Sequence, residues 1–120
     1  MSRDHRKLHV FTLADGLVPD VYTVSQAFPA SERFGLQLQL RKASVSAANN
    51  IVEGSARRKT KEYLNFLNIA LGSAAEAAYL SDLSVRLGFL ARVDGRRLAG
   101  SYSELAAKLN ALINSLDGEP

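Results

Sequence analysis

Apolar residues recur at three- and four-residue spacing along most of this chain, and alternating strand patterns are short and rare. Prolines occur only at Pro19, Pro29 and Pro120. From Ser31 to the last residue, therefore, no proline ring interrupts a helix. Ala and Leu dominate this stretch. The spacing predicts an all-α chain with four helices, over about 7–27, 31–58, 60–87 and 94–116. Leu8, Phe11, Leu17, Val18, Val21 and Val24 give the first a loose stripe. Pro19 is expected to kink or interrupt it, because the ring removes a hydrogen bond. Phe28-Pro29 ends it, since the residue before proline avoids the α region. Ser31 is expected to cap the second helix with Glu32 in its first turn, Thr60 the third and Asp94 the fourth. Gly54 reads as a close-packing site near the end of the second helix, and Gly88 as the C′ residue of the third. The connections are short, so consecutive helices run antiparallel. The expected architecture is one domain, an up-down-up-down four-helix bundle.

The two middle helices are unusual in their patterning at about 100° per residue. The fourth helix carries one stripe, Leu98, Tyr102, Leu105, Leu109, Leu112, Ile113 and Leu116, as a bundle helix needs. The second carries two: Phe34, Leu38, Val45, Ala48 and Val52, then Leu36, Leu40, Ala43, Ala47, Ile51 and Gly54. The third also carries two. One is Phe66, Ile69, Ala70, Ser73, Ala77, Leu80 and Leu87. The other is Leu64, Leu67, Leu71, Ala74, Ala78 and Val85. A helix that is apolar on opposite sides must bury both. The expectation is that one side faces the core and that Leu64, Leu67, Leu71, Ala74 and Ala78 face another subunit.

Charge adds a second feature. The formal net charge is +3 over 120 residues, which by itself identifies no partner; the distribution matters more. Arg57, Arg58, Lys59 and Lys61 form the densest cluster, at the turn between the second and third helices. In an antiparallel bundle that turn shares an end with Arg3, Arg6 and Lys7. Such a pole attracts phosphate backbones with steep salt dependence and little reading of bases. Tyr63 and Tyr79 are the only near aromatics for base stacking, which disfavours specific single-strand recognition. The bland reading of the same cations is a solvated helix end that keeps the protein soluble.

Other chemistry is sparse. Arg41 falls on an apolar stripe and Glu76 flanks one on the neighbouring helix, so a buried ion pair that fixes helix register is expected. Arg41, Asn50, Glu53, Ser73 and Glu76 are taken together as a structural polar network. His5 and His9 share an i, i+4 spacing, but a solvated basic end suits them better than a metal. No phosphate-cradling loop, nucleophile elbow or Glu-x-x-His pattern is present, and neither enzyme activity nor a cofactor is expected. With no cysteine, disulfides are out and a reducing cytoplasm fits. No long apolar run is free of charge, so no membrane span is expected.

Several linked motifs occur in order. They are Phe28-Pro29 with Glu32-Arg33-Phe34-Gly35-Leu36, then Gln39-Leu40-Arg41-Lys42-Ala43 and Asn50-Ile51-Val52-Glu53-Gly54. Glu62-Tyr63 with Phe66-Leu67 follows, then Ala70-x-Gly72-Ser73 with Glu76, and Leu87-Gly88-Phe89-Leu90. In these the chain resembles the four-helix-bundle proteins named for intervening sequences in bacterial 23S ribosomal RNA genes. It is similar also to the accessory proteins of diversity-generating retroelements. Val52 and Ala77 stand where the family commonly has alanine and leucine, and Pro19 is atypical. The resemblance implies a bundle that assembles as a ring, a homopentamer. For the accessory branch it implies binding of nucleic acid and a reverse transcriptase through a basic surface. The leading expectation is a non-enzymatic oligomer that binds DNA or RNA through phosphates. The rival is an oligomeric scaffold for another protein.

Overall fold

The structure is a computed structural model and describes residues 3–5 and 8–116. It has four α-helices and, among the described residues, no strand. They are α1 (His9–Val24), α2 (Leu36–Ser55), α3 (Thr60–Arg86) and α4 (Arg92–Leu116), with short 3₁₀ turns at Ser25–Ala27 and Ala30–Glu32 between α1 and α2. Paired contacts give the helix directions. Ser46 meets Ser73, whereas Gly54, further along α2, meets Tyr63 at the start of α3. Arg41 reaches back to Tyr22 and Ser25 at the end of α1. The result is a rod of 48 × 20 × 20 Å, all-α and antiparallel. No helix among the described residues is long and apolar enough to cross a membrane.

The helix ends differ from expectation in instructive ways. Ser31 does not cap α2. It lies exposed in the second 3₁₀ turn, and α2 begins at Leu36. The Glu32 carboxylate instead accepts the Leu36 N–H at 3.0 Å. A side chain that leads the helix by one turn thus satisfies an orphan donor. Thr60 is the first residue of α3, with no side-chain cap before it, and Asp94 sits inside the first turn of α4 and pairs with Arg97. The α2 helix also stops at Ser55, short of the expected 58. Helix α1 runs unbroken through Pro19. The ring is on the exposed side, where water can serve the carbonyl that loses its donor. The α3 terminus fits expectation. Gly88 has φ +81°, its N–H donates to Val85 O, and the Phe89 N–H donates to Ser84 O. These are the two bonds of a Schellman motif. Phe89 then packs against Phe28 at 5.9 Å between ring centroids.

The largest correction concerns α3. It packs extensively on both α2 and α4, whereas α1 lies more loosely on α2 and α4. Both of its stripes are therefore needed inside the chain. Leu67 and Ala74, expected at a subunit contact, are 0% exposed. Leu71 and Ala78 pack partly buried against the same core, and Leu64 is half-buried. Counting stripes on a helical wheel cannot distinguish a helix with two neighbours in its own bundle from one with a neighbour in another chain. The large outward-facing apolar groups of α3 are Ile69 and Tyr79, with Leu87 at its C-cap. On α2 the Leu40, Ala43, Ala47 and Ile51 stripe is the core, while Val45, and Phe34 just before the helix, remain exposed.

Small residues let these helices approach. Ser44, Ser55 and Ser81 are buried but return their hydroxyls to carbonyls of their own helix at 2.7–2.8 Å, so they cost no unpaired polar group. At Gly95 of α4 a Cβ would collide with Val85 Cγ2 and lie 3.2 Å from the Ser81 carbonyl oxygen. Val85 is β-branched and stiff in a helix, and the Ser81 oxygen is backbone. The overpacking cost of about 1–3 kcal/mol should therefore exceed the roughly 1 kcal/mol that alanine returns in helix propensity. Gly95→Ala should lower the urea midpoint. Gly100→Ala, at a position where nothing lies within 4 Å, should raise it.

Candidate nucleic-acid interface

The basic turn is built by the way α2 ends. Gly54 lets α3 cross closely: a Cβ there would sit 2.8 Å from Phe66 Cβ and 3.1 Å from Tyr63 Cδ1. The chain then tightens, with Ala56 N–H on Glu53 O and Arg57 N–H on Gly54 O. Arg57, Arg58 and Lys59 fall in this turn, Lys61 in the first turn of α3, and all four are exposed. Among the described residues no carboxylate lies within salt-bridge distance of them. The Arg3 N–H donates to Ser55 O at 2.7 Å, which brings a fifth cation to the same end. Arg6 and Lys7 lie outside the described residues.

Two aromatics order these cations. The Arg3 guanidinium lies 4.2 Å from the centroid of the Tyr63 ring, and that of Arg57 4.8 Å from Phe66, both within cation–π range. Tyr63 is 1% exposed and so is no platform for bases. Tyr79 is exposed but lies sixteen residues along α3, roughly 24 Å at the helical rise. Phe66 was missed as a contributor; its i, i+3 spacing from Tyr63, opposite Gly54, was the available signal. The start of α3 adds backbone N–H groups with no side-chain cap, and such groups favour anions.

The expected polar network separates into two parts. Arg41 does not meet Glu76. Its Nε donates to Ser25 Oγ at 2.8 Å and its Nη2 to Tyr22 O at 3.2 Å, with the guanidinium 4.7 Å from the Tyr22 ring centroid. The reason is geometric: Arg41 lies on the α1 side of α2, away from α3. Ser73 and Asn50 do come together, through Ser46, at 2.7 Å for the hydroxyl pair and 3.1 Å for Asn50 Nδ2 to Ser46 Oγ. Glu53 and Glu76 are exposed and belong to neither part. Among the described residues no group of three potential metal ligands is present. His5 packs edge-on against Phe11.

A four-helix architecture with this order of motifs agrees with the family model for 23S rRNA-intervening sequence proteins, which matches residues 6–111. The chain belongs to that family. A crystal structure of a protein of unknown function from the S23 ribosomal protein family of Bacteroides thetaiotaomicron is similar in fold. Its TM-score is 0.80 at 21% identity, over 87% of this chain and 97% of that one. No curated protein matches the chain. The family assignment and the shared fold leave the chemistry of the basic end to be argued from its own residues.

Burial pushes the Tyr63 hydroxyl above its ordinary 10.0, with the nearby Arg3 charge acting in the opposite sense. Burial raises Tyr102 also. Among the described residues the Tyr63 hydroxyl has no hydrogen-bond partner, and the only group that opposes the shift of Tyr102 is the nearby Ser44 hydroxyl. A folded-state pKa above the unfolded value gives stability that is complete below about pH 10 and falls as pH rises further, because the unfolded chain releases the proton first. Tyr63→Phe should therefore keep its stability at neutral pH and keep the ring under Arg3. Thermal melts should then show a shallower loss above pH 10, shallower still when combined with Tyr102→Phe.

Proposed function

We propose that this protein is a non-enzymatic, self-associating helical bundle that binds nucleic acid through backbone phosphates at the α2–α3 turn. The observation that carries the reading is the set of four exposed cations, Arg57, Arg58, Lys59 and Lys61, with no carboxylate paired to them among the described residues. Arg3 and Arg57 are held against aromatic rings, which lowers the entropy lost when a guanidinium meets a phosphate. The uncapped start of α3 adds neutral N–H donors beside them. With Tyr63 buried, the site presents charge and no free ring, a chemistry that suits duplex backbones better than unstacked bases.

The self-association part rests on exposed bulk. Val93 is 74% exposed, Tyr79 58%, and Ile69 and Leu87 52% each, more large apolar surface than a small rod needs when alone. A ring of copies, five as the resemblance implies, would cover Ile69 and Tyr79 and repeat the cationic turn around one rim.

Affinity for a short mixed-sequence duplex should fall linearly with log salt, with a slope of about −0.9 per phosphate contacted. Replacing Arg57, Arg58, Lys59 and Lys61 together by Ala should flatten that slope by about three to four phosphate equivalents. Unchanged affinity would place binding elsewhere. In light scattering, Ile69→Asp with Tyr79→Asp should reduce the assembly to a smaller species with full helical content. Leu67→Asp, which places a charge in the core, should cost the fold itself. If the surface pair leaves the molecular mass unchanged, α3 is not the contact.

A further inference from the structure

At the end of the rod opposite the basic turn, the 3₁₀ turns and the start of α2 form an open cleft of about 500 Å³. Arg33, Arg41, Phe34, Leu38 and Gln37 are among its lining residues, and among the described residues no carboxylate lines it. The nearest acid in sequence, Glu32, is engaged with the Leu36 N–H. Both arginines lack an ion-pair partner among the described residues. Arg41 is the more telling, because it is half-buried and fixed only by neutral acceptors. Leaving water with no opposite charge to meet is unfavourable for a guanidinium. Its Nε and Nη2 are held by Ser25 and Tyr22, which leaves the outer edge of the fork free for a carboxylate. Ser25 is 0% exposed and also fixes Gln37, whose Nε2 donates to Ser25 O at 2.8 Å. That bond leaves the Gln37 amide oxygen free to accept. The Phe34 side chain stands out from the surface beside Leu38, with Arg33 5.6 Å from its ring centroid.

We propose that this cleft binds an acidic peptide segment of a partner protein. Carboxylates meet Arg33 and Arg41, and one apolar side chain seats on Phe34 and Leu38. Charge complementarity sets the sign of the ligand. The Gln37 oxygen can accept from a peptide N–H, a donor that a phosphodiester backbone lacks. Leu38 beside Phe34 makes a partly aliphatic floor that suits a Leu or Phe side chain better than a stacked base. The site is independent of the cationic turn, which lies at the far end of the rod.

The test is selection of a random dodecapeptide library on the full-length protein, followed by fluorescence anisotropy with the peptides recovered. Recovered peptides should be rich in Asp and Glu around a single large apolar residue. Their affinity should fall roughly tenfold or more in Phe34→Ala and in Arg33→Gln, both exposed positions whose change leaves the fold intact. Arg41→Gln should act in the same direction, with helical content and melting temperature measured alongside. Arg58→Gln, at the other end, should change nothing. Three outcomes overturn the proposal: no enrichment over a blank surface, enrichment without acidic bias, or affinity indifferent to Phe34→Ala and Arg33→Gln. A single-stranded oligonucleotide that binds through Phe34 and Arg33, with no selected peptide doing so, would assign the cleft to nucleic acid and also overturn it. Duplex binding at the turn stands or falls separately, through its own cation variants.

Discussion

Helix α3 lies between α2 and α4, and the close approach on each side sets the rest of the molecule. On the α2 side, Gly54 admits Tyr63 and Phe66, and Ser46 meets Ser73. On the α4 side, Gly95 admits Val85 and the Ser81 carbonyl. Leu40, Ile51, Leu67, Leu98, Leu105 and Leu109 then fill the space with side chains that reach 0% exposure. Each such side chain contributes about 1.5–3 kcal/mol of transfer free energy. Helix α1 covers only part of this three-helix core. Apolar and cationic groups are therefore left along its edge with α2.

The two ends of the rod follow from that arrangement. At one end the crossing of α2 over Tyr63 and Phe66 places aromatic rings directly under the turn, and Arg3 and Arg57 lie on them. At the other end a longer connection of two 3₁₀ turns spans from α1 to α2, pinned where Phe28 packs on Phe89. Buried Ser25 in that connection organises both Arg41 and Gln37. The first end offers charge on a convex turn. The second offers charge beside an apolar hollow. Those shapes suit different partners, which is why phosphate backbones are proposed for one and an acidic peptide for the other.

Sequence patterning was informative wherever a local rule governs. Helix type and number and the Gly88 terminus depend on residues within one turn of each other, and the packing role of Gly54 is set by Tyr63 and Phe66, just across one short connection. It was less informative at helix starts. Ser31, Thr60 and Asp94 have good capping chemistry, yet the α2 cap comes from Glu32 and the other two are already helical. A capping residue has to fit the direction from which the chain enters, and tertiary contacts such as Phe28 on Phe89 set that direction. The polar groups divide in the same way. Asn50 reaches Ser46 within its own helix, whereas the partners of Arg41 lie sixteen and nineteen positions away, beyond any helical period.

By itself the sequence determined an all-α antiparallel bundle, a cationic turn between α2 and α3, and an excess of apolar surface on the middle helices. Those features follow from composition and from a 3.6-residue period, both properties of the chain as a string. Only the tertiary structure decided where the excess goes. It buries Leu67 and Ala74 within one chain and leaves Ile69, Tyr79 and Phe34 outside, because the role of a helical face depends on which helices neighbour it. It also decided that Arg41 has no carboxylate partner among the described residues, since an ion pair needs two side chains within a few ångströms, a distance set by packing rather than by the pattern along the chain.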